Sequence, residues 1–153
     1  MNNYILDLLQ RIGHPLSKKP QLSPHEHSVP TYGSKQQFPD NEDNSPALDK
    51  ENLKFIQTVV GALLYYGCAV DNKLLVALGT IATQAAASTK QTKEAVTQLL
   101  NYVATYPNDA IIYRESGMQL AAHSDAGYLN VSKARSRAGT LYFSLQKCPH
   151  PTI

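Results

Sequence analysis

One carboxylate has the strongest claim to chemistry. Asp125 lies in His123-Ser124-Asp125-Ala126-Gly127-Tyr128, near the end of a run whose residues alternate in character. A carboxylate at a strand end can hold magnesium, a hard cation that takes oxygen ligands and keeps several waters. Close behind it, Lys133, Arg135 and Arg137 form a basic cluster of the kind that contacts phosphates. His25 and His27 flank Glu26, an H-x-H pair that binds zinc when further ligands fold nearby, but this segment supplies no third ligand at sensible spacing. Tyr65, Tyr66, Tyr102 and Tyr106 fall in helix-period sequence, where packing is a more ordinary use of the ring than base stacking. The chain has no G-x-x-x-x-G-K-[ST] loop, no G-x-S-x-G elbow and no H-E-x-x-H pair. It also lacks adjacent aspartates, so a polymerase-type metal motif is missing. Cys68 and Cys148 are too few and too far apart for a thiolate zinc site, which needs close pairs.

The elements that must position these groups fall into zones, and together they read as an α+β chain. Residues 1–12 carry Ile5, Leu8, Leu9 and Ile12 at spacings of three and four, the stripe of a short helix. A helix this short is unstable alone and must pack on something larger. Residues 13–47 hold six of the nine prolines, each of which removes a backbone donor and fixes φ. With few apolar residues to offset ordering entropy, this zone reads as an extended or disordered linker.

Residues 48–106 read as a bundle of about three helices. Asp49 is placed to cap the first, which presents Leu53, Ile56, Val59, Val60, Leu63 and Leu64 and ends near Gly67. Asp71 caps the second, with Leu74, Leu75, Leu78, Ile81 and Ala82 on its apolar side. Ser88 and Gln91 fit a capping box ahead of the third, striped by Ala95, Val96, Leu99, Leu100 and Val103 and stopped by Pro107 and Asn108. Residues 109–146 switch to a period of two. Ala110–Arg114, Met118–Asp125 and Thr140–Ser144 read as about three antiparallel strands, with a polar loop from Gly127 to Ser136 and a tail over 147–153. Three strands make an incomplete sheet with two open edges, a liability unless something covers them.

Bulk properties narrow the classes further. Of the 153 residues 17% are charged and the net charge is +2, a balance that predicts neither nucleic-acid binding nor its avoidance, since strongly basic domains look different. No apolar run reaches the roughly 18 residues of a membrane span, and Met1–Gly13 lacks the basic start and apolar stretch of a secretory signal. An intracellular, reducing location, cytoplasmic or nuclear, is therefore expected, with Cys68 and Cys148 as free thiols.

Three stretches together resemble copia-type LTR retrotransposon polyproteins: IQTVVGALLYYGCAVDNKLLVAL (Ile56–Leu78), LLNYVATYPNDAIIYRESGMQLAAHSDAGYLN (Leu99–Asn130) and ARSRAGTLYFSL (Ala134–Leu145). The front, MNNYILDLLQRIGHPLSKKPQ, is similar to the stretch just after the polymerase palm in that family. The resemblance covers nearly the whole chain, is strongest over 53–145 and is weak in the linker. It implies that residues 1–106 correspond to the end of the reverse transcriptase and its thumb or connection. Residues 109–146 would then be the opening strands of ribonuclease H. Asp125 would match the first metal-binding aspartate of that fold, within a motif of S-D-A-D type, and magnesium would be the implied cofactor.

The departures from the family pattern bear on activity. Gly127 stands where that motif carries its second acid, and the turn before the next strand reads Arg135-Ser136-Arg137-Ala138-Gly139 instead of being rich in serine and threonine. The tail KCPHPTI differs from the family's continuation and suggests read-through into unrelated sequence. Ribonuclease H uses two metal ions about 3.5–4 Å apart held by several carboxylates. In the family the remaining acids come from later elements. The expectation is a polyprotein fragment without catalysis of its own, with Asp125 a vestigial metal ligand. The alternative is a nucleic-acid-binding module that grips an RNA–DNA hybrid through the helical bundle and the Lys133–Arg137 loop. Association with other polyprotein-derived chains, which would complete the sheet, is a third possibility.

Overall fold

The computed structural model describes residues 3–16, 19–26, 43–112, 115–131 and 135–145, with the side chains of 129–131, 135 and 145 outside that description. The protein is α+β, with four α-helices and a two-stranded antiparallel sheet among the described residues. It divides into two compact units, one formed by Met1–His27 and Asp43–Ile111, the other by Ser28–Glu42 and Ile112–Ile153.

The first unit is helical. Helix α1 (Tyr4–Arg11) buries Ile5, Leu8 and Leu9, three residues of the stripe read from the sequence. Gly13, at φ +66°, ends it: His14 N–H donates to Leu9 O at 2.9 Å and Gly13 N–H to Gln10 O at 3.1 Å. That pair of bonds is a Schellman closure, which needs a left-handed residue at this position. Tyr4 stacks on Tyr66 at 5.5 Å and donates its hydroxyl to Ala62 O at 3.1 Å. The partner α1 requires is thus supplied by this chain.

Helix α2 (Lys50–Ala69) is capped by Asp49, whose side chain accepts from Asn52 N–H. It runs past Gly67, which does not terminate it. Gly67 is buried, and a Cβ built there would lie 3.2 Å from Leu75 Cδ2 and 3.3 Å from Leu78 Cδ1. The glycine is a point of close approach, and the break comes at Val70 and Asp71. A 3-10 turn (Asn72–Leu74) follows, capped by Asp71, and leads into α3 (Leu75–Gln84). Helix α4 (Lys90–Thr105) opens with a capping box one residue later than the sequence suggests. Thr89 accepts from Thr92 N–H, and the Thr92 hydroxyl accepts from Thr89 N–H. Ser88 is buried and donates its hydroxyl back to Gln84 O at 3.1 Å, so it cannot serve as the cap. The helix ends at Tyr106, ahead of Pro107 as expected.

Ile56, Val59, Leu63, Leu74, Leu78, Ile81, Val96, Leu99, Leu100 and Val103 join the α1 residues in one core. Each fully buried aliphatic side chain contributes roughly 1.5–3 kcal/mol. Leu64, assigned to the inner stripe by its spacing, is 43% exposed, because the twenty-residue helix α2 buries only part of its apolar surface.

Part of the proline-rich zone docks on this core. Gln21 N–H donates to Thr105 Oγ1 at 3.0 Å, and His14 Nε2 meets Asn101 Oδ1 at 2.9 Å. At the far end of the zone, Ala47 bridges Thr89, with Leu48 N–H donating to Ser88 O and Lys90 N–H to Pro46 O. The polar linker therefore finds backbone and side-chain partners on α4 in place of an apolar core. Residues 27–42, which the sequence reads as linker, lie outside the described residues.

The second unit contains strands β1 (Gln119–Val131) and β2 (Arg135–Leu145), paired antiparallel. Of the three strands expected, the first is not formed among the described residues: Ala110–Ile112 carry no strand structure, and Tyr113 and Arg114 lie outside the description. Ile111 instead donates its N–H to Val70 O at 2.7 Å, which ties this apolar run to the end of α2. The loop expected over Gly127–Ser136 is also mostly strand. The ladder continues through Gly127 opposite Arg137 to Val131 opposite Arg135, with a register irregularity between Gly127 and Val131. Tyr128 and Val131 favour extended backbone, so polarity here reflects exposure and not the absence of a strand.

Candidate functional site

Asp125 sits inside β1, opposite Gly139 of β2. Directly opposed residues of an antiparallel ladder share a face, and so do residues two apart on one strand. Ala121, His123, Asp125 and Gly127 therefore share one face with Phe143, Leu141, Gly139 and Arg137. The His123 ring stacks on Phe143 with centroids 5.1 Å apart and planes 6° from parallel. Gly139 offers no side chain to cover the carboxylate, and a Cβ built on it would meet nothing within 4 Å. Asp125 is accordingly exposed, with an open position directly across from it.

The basic cluster is only partly within view. Lys133 lies outside the described residues, and so does the side chain of Arg135, whose backbone pairs with Val131. Arg137 is on β2, opposite Gly127, and shares the face of Asp125. These two arginines belong to a strand, a correction to the loop expected from their polarity.

The fit of a magnesium pair follows from this donor set. Around Asp125 on its face stand His123, Gly127, Gly139, Arg137 and Leu141, which supply an imidazole and a guanidinium but no second carboxylate. Two divalent ions at hydrolytic spacing need several oxygen ligands, and a guanidinium beside them is repelled. The described residues do not fit that group.

His25 and Glu26 lie in the helical unit. His25 Nδ1 is buried without a hydrogen-bond partner among the described residues, and Glu26 lines an open groove with Gln21, Glu94, Thr97, Gln98 and Asn101. His27 is outside the described residues. Among the described residues no three of His, Cys, Asp and Glu gather to hold a metal ion. Cys68 is a free, exposed thiol on α2, and Cys148 is outside the description. All four helix tyrosines meet another aromatic ring, Tyr65 and Tyr66 that of Tyr4. Tyr66 is buried and donates to Asp109 O at 3.0 Å, while Tyr102, also buried, tilts against Tyr106 at 5.2 Å. Tyr65 is 59% exposed.

Two polar clusters in the helical unit gather residues that sequence spacing left apart. Asp71 is buried, and its desolvation holds the carboxyl above its ordinary range, opposed by hydrogen bonding and charge from Lys73. Lys73 also bonds Asp109, which raises the ammonium's pKa. The pair joins the start of the 3-10 turn to the segment after α4, a separation of 36 residues that only the fold closes. Asp43 accepts from Ser45 and from Thr89, and these bonds hold its carboxyl below the ordinary range. Ser45 Oγ accepts from Gln91 N–H at 3.2 Å, so this segment satisfies a free donor at the start of α4. Both clusters do structural work at helix ends. No described helix is long and apolar enough to cross a membrane. No protein-family model matches the chain, and neither a curated protein nor a solved structure matches it.

Proposed function

We propose that the chain derives from the stretch of a copia-type retrotransposon polyprotein that joins the reverse transcriptase to ribonuclease H, and that it performs no catalysis by itself. The observation that carries this reading is Asp125 in the first strand of an antiparallel hairpin that follows a helical unit. The sequence likeness over residues 53–145 supports the same order of thumb-like helices and nuclease strands. The described face of the hairpin supports the part of the proposal that concerns catalysis. Asp125 stands there with His123 and Arg137, and two-metal hydrolysis needs further carboxylates close by.

The test is incubation of the purified chain with an RNA–DNA hybrid and magnesium. No cleavage is expected from the wild type or from Asp125→Asn. Robust cleavage by the wild type that Asp125→Asn abolishes overturns the proposal. A second reading, a nucleic-acid-binding module, is favoured by Arg137 lying on the exposed face of Asp125 and His123. It requires binding that weakens steeply as salt rises, because phosphate contacts release counterions. Undetectable or salt-independent binding removes it.

A further inference from the structure

We propose that the edge of β1 that has no neighbour among the described residues pairs with the same edge of a second copy of this chain, antiparallel, with Ser124 on the two-fold axis. This goes beyond the reading of origin and does not depend on it.

A two-stranded hairpin is marginal in water, and three or more strands are needed for independent stability. Here the hairpin also leaves large apolar groups uncovered: Leu120 is 76% exposed, Tyr128 78% and Tyr142 67%. Among the described residues each strand has one neighbour, so each keeps a row of backbone donors and acceptors unpaired. Natural edges are protected by charge or proline. β2 carries two formal charges near its start, Arg135 and Arg137. β1 spans thirteen residues with no proline and a single formal charge, Asp125. Its edge is the less protected of the two.

Symmetry and charge then select the register. A two-fold axis normal to the sheet must oppose residues of the same face, so one residue of β1 faces its own copy. Centring on Asp125 sets two carboxylates against each other, which destabilises a cross-strand pair. Centring on Ser124 instead sets Asp125 opposite the partner's His123, twice, and an imidazole N–H can donate to a carboxylate. The same register opposes Ala122 to the partner's Ala126, again twice, on the other face of the strand. The product is a four-stranded sheet ordered β2-β1-β1-β2.

Sedimentation of the full chain tests this, since residue 124 meets itself. Wild type is expected at twice the chain mass. Ser124→Lys and Ser124→Glu, each placing like charges in direct opposition, are expected at the monomer mass. An equimolar mixture of the two variants is expected to return to twice the chain mass, which a hairpin that had merely unfolded could not do. A monomeric wild type, a Ser124→Lys variant that stays dimeric, a mixture that stays monomeric, or open-ended association in place of a dimer would each overturn the proposal.

Discussion

Two glycines on α2 should respond oppositely to the same substitution. Gly61 is exposed in the helix interior, and a Cβ added there would meet nothing within 4 Å. Gly in a helix interior costs about 0.5–1 kcal/mol relative to Ala, chiefly through backbone entropy, so Gly61→Ala should stabilise by about that amount. For a unit of this size the melting temperature should rise by roughly 4 °C. Gly67 has the same entropic cost but a different surrounding. Its added Cβ would lie 3.2 Å from Leu75 Cδ2, 3.3 Å from Leu78 Cδ1 and 3.7 Å from Leu74 Cβ. The two nearest atoms are ends of side chains and can move a few tenths of an ångström, so Gly67→Ala should come out near neutral. Gly67→Val drives two further methyls into that seam, and overpacking of this kind costs typically about 1–3 kcal/mol. Urea titration followed by helical circular dichroism checks the order Gly61→Ala, then wild type with Gly67→Ala, then Gly67→Val. Gly61→Val controls for the propensity of valine itself. Equal stability of Gly67→Val and Gly61→Val would refute the close approach of α2 to the 3-10 turn and α3.

Other outcomes follow from the same structure. Leu63→Ala should cost about 2–5 kcal/mol, read as a lower urea midpoint with unchanged slope, because Leu63 is fully buried. Thr89→Ala should cost about 1 kcal/mol by thermal melting, since it removes the side-chain half of the α4 capping box. Asp71 should give stability a pH dependence of defined sign. Its folded pKa lies above the ordinary 3.8, so the folded state binds the proton more tightly, and its contribution is lost as pH rises from that value through the raised one. Asp71→Asn keeps an acceptor for Lys73 N–H and removes the titration. Its stability relative to wild type should therefore increase with pH over that window, and a pH-independent difference would contradict the assignment. Asp125→Asn should leave the unfolding free energy of the helical unit within about 0.5 kcal/mol of wild type, because Asp125 lies outside that unit and is exposed on the hairpin.

Local physics determined much of this protein from the order of its residues. The 3.6-residue spacing of Ile5, Leu8 and Leu9, and of the Ile56, Leu78 and Leu99 stripes, marks helices because burial of one face is their main source of stability. Asp49 and Asp71 are legible as caps because a short acceptor can reach a free N–H within its own turn. Asp125 is legible as a strand residue for the same reason of period. What tertiary structure alone decided is wherever two options are locally equal. Ala110–Ile112 have a strand's composition, but hydrogen bonding to Val70 places Ile111 at the end of α2. Gly67 has the composition of a stop, yet it serves as a contact surface. Ser88 and Thr89 are both competent caps, and the Gln84 carbonyl takes the serine hydroxyl, leaving the threonine for the helix. The same holds for the site. Spacing suggests that Arg137 lies near Asp125, but only the register opposing Asp125 to Gly139 sets both on one open face. Non-local pairings depend on which surfaces remain once the core has formed, and no window of neighbouring residues contains that information.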